Sequence, residues 1–356
     1  MNALSTADTL NFRSDNVATV CPEILRALDA ANHGPAASYG DDAHSQALNR
    51  IYSELFETAV TVFPVSTGTA ANALGLAASV RSYGAVFCHE EAHIHTAEGA
   101  ATEAFTGGAK LLPLPGAQFR LHPDGLRTAL ARVQRGVRNR AQPDVVSITQ
   151  ASEYGTVYPL DDIAEIGALA HGAGLKVHMD GARFANALAT LGCSAAAMTW
   201  QRGVDILSFG ATKNGAMNTE AIVVFDETLV EPLSYRLRRA GQTWSKMRFA
   251  AVQLTAYVEG GLYLRMARHA NALAARLARE LAALPGIELV APVEANLIFL
   301  SMPPAVITML AAEGVLFARR DQNVIRLVTR FDGREEEIDR LLAIARRAVA
   351  RTAGQT

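Results

Sequence analysis

Two segments about 30 residues apart carry side chains that together do one kind of chemistry. Lys213 sits in the small-residue stretch Ser208-Phe209-Gly210-Ala211-Thr212-Lys213-Asn214-Gly215, and Asp180 sits in His178-Met179-Asp180-Gly181-Ala182-Arg183. A lysine amine forms a Schiff base with an aldehyde cofactor. An aspartate beside a pyridine nitrogen keeps that nitrogen protonated, so the ring accepts electrons from a breaking bond. These are the two anchors of a pyridoxal 5'-phosphate (PLP) site. A third segment, Ser66-Thr67-Gly68-Thr69-Ala70-Ala71-Asn72, follows the apolar run 60–65 and opens a helical pattern. Small residues there let backbone approach an anion, and a helix start offers free N–H groups and a positive dipole end, which suits a phosphate. Its spacing is neither the phosphate loop of nucleotide hydrolases nor the dinucleotide fingerprint. Taken singly, the helix start reads as an ordinary cap and Lys213 as a solvated loop residue; their joint placement with Asp180 favours the cofactor reading.

His89-Glu90-Glu91-Ala92-His93 matches the HExxH pattern of zinc peptidases, with His95 and Glu98 nearby as further ligands. That chemistry needs both histidines on one helical face. The motif directly follows the apolar run 85–88, which places His89 at a strand end and spoils that geometry. A zinc hydrolase is therefore the lesser alternative. In the cofactor reading His93 is a ring that stacks on the PLP face, and His89, Glu90 and Glu91 belong to a polar surface loop. His178 reads as structural, and the Arg236, Arg238, Arg239 cluster as a solvated helix face.

The elements that must position these residues follow from periodicity. Residues 22–31, 42–57 and 69–83 read as helices. Short β-type runs at 85–88, 145–149, 175–179 and 206–209 alternate with helical segments such as 160–171. Strands apolar on both faces, alternating with helices, predict a mainly parallel sheet covered on both sides. Asp180 and Lys213 then fall at the carboxyl ends of neighbouring strands, the edge where α/β sheets collect ligands. After 222–225 the pattern changes to two long helical stretches over 229–284, interrupted near Gly241 and Gly260-Gly261. Runs at 287–290, 296–300 and 324–328, and a final helix from Arg334, complete a small α+β unit. The expected fold class is α/β. Residues 1–240 form the N-terminal segment and a large PLP-binding domain, residues 241–356 a small C-terminal domain, and the boundary falls within 235–250.

Composition narrows the function classes. The chain has 356 residues, half of them hydrophobic, and a net charge of −2. It therefore carries no electrostatic argument for nucleic acid or an anionic membrane. Cys21, Cys88 and Cys193 form no paired motif, which fits a reducing compartment. No apolar run reaches membrane-spanning length and the first residues lack a signal-peptide pattern, so the expectation is a cytoplasmic protein.

These motifs, with Arg13-Ser14-Asp15, Tyr39-Gly40-Asp41-Asp42, Ala92-His93, Lys246-Met247-Arg248 and Val324-Ile325-Arg326-Leu327-Val328, resemble the threonine aldolases in order along nearly the whole chain. These are PLP enzymes of the aspartate aminotransferase fold, fold type I. The resemblance implies a carbon–carbon lyase that cleaves L-threonine, L-allo-threonine or related β-hydroxy-α-amino acids such as phenylserine to glycine and an aldehyde. An aminotransferase and a β-eliminating lyase share the same anchors and are the alternatives. It further implies that Lys213 holds PLP, Asp180 pairs with the pyridine nitrogen, Gly68 and Thr69 cradle the phosphate, and His93 stacks on the ring. Ser14, Arg183 and Arg326 would bind the amino acid carboxylate, with Tyr39 close by, and Arg248 would reach the phosphate of a neighbouring subunit. A homodimer or homotetramer with sites between subunits follows by resemblance. The chain departs from the family at Ser152-Glu153-Tyr154-Gly155, where many members carry Thr-His-Asn-Gly, and looks here like a bacterial branch with an acidic residue. With that histidine gone, His93 is the first candidate for the catalytic base and Glu153 the second.

Overall fold

Local sequence signals set most element boundaries. The computed structural model describes residues 9–353. Pro22 opens the helix Pro22–Ala30 with its ring already at a helical φ. Asp42 caps the helix Ala43–Phe56 by accepting from the Ser45 amide at 2.9 Å, and Glu57 ends it in a left-handed conformation. Thr67 caps Gly68–Ser79 through the Ala70 amide at 3.1 Å. That helix stops at Ser79, four residues before the sequence reading ends it, because Val80 turns extended toward the next strand.

A short first strand, β1 (Leu10–Asn11), precedes a seven-stranded sheet. Its strands are β2 (Thr61–Val65), β3 (Gly84–His89), β4 (Lys110–Leu114), β5 (Gln142–Thr149), β6 (Lys176–Gly181), β7 (Ile206–Phe209) and β8 (Glu220–Val224). The order across the sheet is β2-β8-β7-β6-β5-β3-β4. The run from β7 to β4 is parallel, while β8 is antiparallel to both of its neighbours. β3, β7 and β8 are buried along their whole length, as strands covered on both faces must be. β6 and β7 pair in parallel, with Asp180 opposite Ser208 and Gly181 opposite Phe209. Their carboxyl ends therefore lie side by side, and the segments that follow carry Arg183 and Lys213.

Beyond β8 the two glycine interruptions divide the helical stretch into three helices, Val230–Arg239, Arg248–Val258 and Leu262–Ala282. Gly241 and Gly261 adopt positive φ at the breaks. A second sheet of β9 (Glu288–Leu289), β10 (Leu297–Ser301), β12 (Ala318–Arg319) and β13 (Val324–Val328) is antiparallel, while β11 (Val315–Leu316) pairs in parallel with β1. The helix Glu335–Ala353 is the last described element.

Two main cores result. Ala251, Leu254, Tyr257 and Met266 pack with the large-sheet residues. Leu10 and Phe12 pack with Leu273, Leu277, Ile298, Ile325 and Leu341 in the C-terminal core. The change of core thus falls inside the helix Leu262–Ala282, and the N-terminal strand joins the C-terminal unit. Among the described residues, no helix is long and apolar enough to cross a membrane.

Candidate active site

The carboxyl edge of β6 and β7 faces the start of the helix Gly68–Ser79 across a cavity of about 270 Å³. Lys213, Asp180, Gly68, Thr69 and His93 all line it, together with Asn16, Asn72, Glu98 and Glu220. Lys213 lies in a short 3-10 turn, Thr212–Asn214, directly after β7. The turn is fixed from behind: buried Glu220 accepts from the Ala211 and Thr212 amides, and Asn214 donates to the Tyr257 hydroxyl at 2.8 Å. Burial raises the Glu220 carboxyl, with those amides and Lys213 opposing. Gly210 has no substitute here, because a Cβ would overlap the Ala182 carbonyl.

Asp180 is 2% exposed. Its Oδ1 accepts from the Ala182 amide at 3.0 Å and its Oδ2 from Asn72 Nδ2 at the same distance, so both oxygens are held in place. Beneath it, His178 lies between the Ser147 and Ser208 hydroxyls at 2.9 and 3.1 Å. Burial lowers that ring to about 4, so it stays neutral and serves as packing. Opposite, the first amides of the helix Gly68–Ser79, those of Gly68 and Thr69, precede the first intrahelical acceptor and are open to an anion.

His93 begins the short helix His93–Thr96. Its Nδ1 lies 2.8 Å from Glu98 Oε1, the same oxygen that accepts from Asn72 at 2.8 Å. The Glu98 contact raises the His93 ring, against burial and with help from Glu153 and Asp180. His89 is the last residue of β3 and His93 the first of its helix, so the two are not on one helical turn. His89 instead uses Nε2 on the Gly116 carbonyl and Nδ1 on the Glu91 amide. The zinc-peptidase pattern is therefore a coincidence of sequence, and no group of three His, Cys, Asp or Glu side chains among the described residues is placed to hold a metal.

The residues expected to bind a carboxylate lie beside the cavity and do not line it. Arg183 and Asp15 form a buried fork, Nε to Oδ2 at 2.8 Å and Nη2 to Oδ1 at 3.0 Å. Asn296 donates to the same Asp15 carboxylate at 3.1 Å. Burial opposes the charge on each, but each holds the other charged, and Lys213 also lowers Asp15. Arg183 thus spends two donors on Asp15. Arg326, on β13, donates to the Arg13 carbonyl at 3.0 Å and leaves its Nε buried without a partner. Burial and the neighbouring Arg183 and Arg320 guanidiniums lower Arg326. Glu153 acts electrostatically on His93, Arg183 and Arg326 alike.

Ser14, Tyr39, Glu153 and Arg248 are likewise not among the residues that line the cavity within this chain. Ser14 caps a short turn by accepting from the Asn16 amide at 3.1 Å. Tyr39 is exposed, at positive φ, under the Arg238 guanidinium at 4.9 Å. Arg248 reaches the Gly34 carbonyl at 3.1 Å on the surface. Asp15, Asn16, Glu98 and Glu220 were not predicted as site residues. Asp15 stood in the quoted Arg13-Ser14-Asp15 motif, but its partner Arg183 is 168 residues away.

A family described as "Beta-eliminating lyase" matches residues 11–303. The chain is 43% identical to a low specificity L-threonine aldolase of a Pseudomonas species and 44% identical to that of Pseudomonas aeruginosa, covering in each case 88% of this chain and 90% of the relative. Among solved structures, a threonine aldolase of Leishmania major superposes with a TM-score of 0.89 at 27% identity, covering 95% of this chain and 99% of the other.

Proposed function

This chain belongs to the beta-eliminating lyase family, among its threonine aldolases, and has the PLP-dependent fold type I; from that premise we propose that it is a carbon–carbon lyase cleaving L-threonine, L-allo-threonine or bulkier β-hydroxy-α-amino acids to glycine and an aldehyde. The observation that carries the reading is the convergence of Lys213, Asp180 and the helix start at Gly68 on one cavity. An amine, an oriented carboxylate and an anion-binding helix end match the three reactive parts of PLP: its aldehyde, its ring nitrogen and its phosphate. When bound, PLP supplies the electron sink for a bond broken at Cα.

The chain's own residues do the rest. Arg326, whose guanidinium is short of partners, takes the substrate carboxylate with the third nitrogen of Arg183, and Asp15 holds that arginine in place. Fixing the carboxylate would set which Cα bond is presented to PLP for breaking, a positioning effect. His93 then accepts the β-hydroxyl proton at Nε2 as the Cα–Cβ bond breaks. The O–H electrons become the aldehyde C=O, and Cα, left with the electrons of the broken bond, takes up a proton to give glycine. His93 is preferred to Glu153 because its ring lines the cavity, whereas Glu153 acts on it from beside. Arg248, half-buried and near the surface of the single chain, is available to the phosphate of a neighbouring subunit in a dimer or tetramer.

The test is the visible absorption of the purified protein supplied with PLP, before and after Lys213→Ala. The wild type should retain a coloured, covalently held cofactor after dialysis that borohydride makes permanent. A variant that retains the cofactor in the same way would sink the assignment of Lys213.

A further inference from the structure

Glu98 is a carboxylate whose side chain is 0% exposed. Burying a carboxyl group costs several kcal/mol unless hydrogen bonds or a positive partner compensate. Its compensation is one-sided. Oε1 lies 2.8 Å from His93 Nδ1 and accepts from Asn72 Nδ2 at 2.8 Å, while Oε2 has no protein partner. Asn72 gives its remaining donor capacity to Asp180 Oδ2 at 3.0 Å and leaves its own carbonyl oxygen unpartnered. A chain of contacts thus runs from Asp180 through Asn72 and Glu98 to His93, and all four side chains line the cavity.

We infer that Glu98 is a positioning residue for His93: it holds the ring by its Nδ1–H, which leaves Nε2 as the proton acceptor facing the cavity. In a neutral imidazole only one nitrogen carries hydrogen, so the group that occupies Nδ1 decides which nitrogen is the base. Asn72 fixes the register. With its two hydrogens on Glu98 and Asp180, it cannot rotate without breaking both contacts. The charged groups facing His93 are Glu98, Glu153 and Asp180, all of which favour its protonated form, with Lys213 lining the same cavity. Glu98 itself faces His93 and Asp180. The pair therefore keeps its proton above the ordinary histidine range, and Glu98 is the largest cause of that displacement for His93.

The use made of the proton rests on the aldolase reading; the state of the ring does not. The experiment is a histidine-labelled nitrogen NMR titration of the apoprotein, with His93 assigned by loss of its signal in His93→Asn, in wild type and Glu98→Gln. It is paired with the pH dependence of kcat/KM for aldehyde release by the PLP-loaded enzyme. In the wild type, His93 should titrate above the ordinary value and carry hydrogen on Nδ1 when neutral. In Glu98→Gln the midpoint should fall by about one pH unit, since burial then opposes the charge with less to offset it. The acid limb of kcat/KM should move down with it. The plateau should drop about 100-fold, the lower range of general-base contributions, with cofactor retention unchanged. A wild-type ring that titrates below the ordinary value, or carries hydrogen on Nε2 when neutral, overturns the inference even if the variant does not fold. So does a variant whose midpoint and acid limb stay where they were. A wild type that releases no aldehyde from any β-hydroxy amino acid defeats the aldolase reading instead, and leaves the titration to judge Glu98.

Discussion

Asp15→Asn removes one charge from the buried fork and leaves nearly the same shape. Asp15 is 1% exposed and Arg183 8%, so neither charge has water to fall back on. Three donors converge on the carboxylate: Arg183 Nε and Nη2 and Asn296 Nδ2. Removing one member of such a pair costs about 3–5 kcal/mol, because the other is left buried and uncompensated. Unfolding entropy near 2.1 cal/mol/K per residue amounts to about 0.75 kcal/mol/K for a chain of this length, so the apoprotein Tm should fall by about 4–7 °C. The pH dependence has a definite sign. Burial alone would raise the Asp15 carboxyl, but Arg183, Lys213 and the hydrogen bonds hold it below its ordinary value. Its stabilisation is therefore complete above the unfolded value near pH 4 and is lost as pH falls through the folded value. Urea unfolding of wild type and variant apoprotein, followed by far-ultraviolet circular dichroism from pH 7 down to pH 3, reads this directly. The gap should be full at neutral pH and should close in acid. If the variant lies within 1 kcal/mol of wild type at pH 7, or if the gap widens on acidification, the pair does not hold this part of the fold. The loaded variant should also show KM raised about tenfold or more with a smaller change in kcat, since Arg183 loses the carboxylate that aims it.

Three further outcomes follow from the same geometry. Arg326→Gln should raise KM for the amino acid by about 10- to 100-fold, the worth of a lost charge-assisted bond. Its thermal stability should hold or rise, because Arg183 and Arg320 no longer crowd a third guanidinium; a lower Tm with unchanged KM would contradict this. Gly210→Ala should weaken PLP retention, measured by equilibrium dialysis, because its Cβ would push the Lys213 turn off the Ala182 carbonyl at the end of β6; unchanged retention would show that the turn has slack. His178, lowered to about 4 by burial, should cost the wild type about 3 kcal/mol between pH 6.5 and 4, where the unfolded chain takes up a proton and the folded one does not. His178→Gln should lack that component of the acid loss, and equal slopes in the two proteins would refute it.

What the sequence revealed depended on how local each signal was. Lys213, Asp180 and the Ser66–Thr69 segment each sit where one apolar run ends, so strand-end placement follows from periodicity, and parallel β6 and β7 bring two of them together. His89 at the end of β3 was legible for the same reason, which is why the HExxH spacing did not mislead. The antiparallel β8 was not legible, because direction leaves no mark on a buried run of Glu220 to Val224. Nor was the fork between Asp15 and Arg183, since a charge partner 168 residues away has no local signature. The resemblance assigned Arg183 to the substrate, but the structure commits two of its nitrogens to Asp15 first. Glu98 stood in the sequence only as a further ligand for the zinc alternative, and the contacts of His93 and Asn72 show it instead to be a buried partner of the cofactor site.

The most direct test of the central claim is product analysis of the PLP-loaded protein on L-threonine and on phenylserine, with glycine, aldehyde, ammonia and 2-oxo acid quantified together. The account predicts glycine and aldehyde in equal amounts from at least one of the two, with no ammonia. Ammonia with a 2-oxo acid, and no glycine, would mean that a different Cα bond is broken and that the chain is a β-eliminating enzyme.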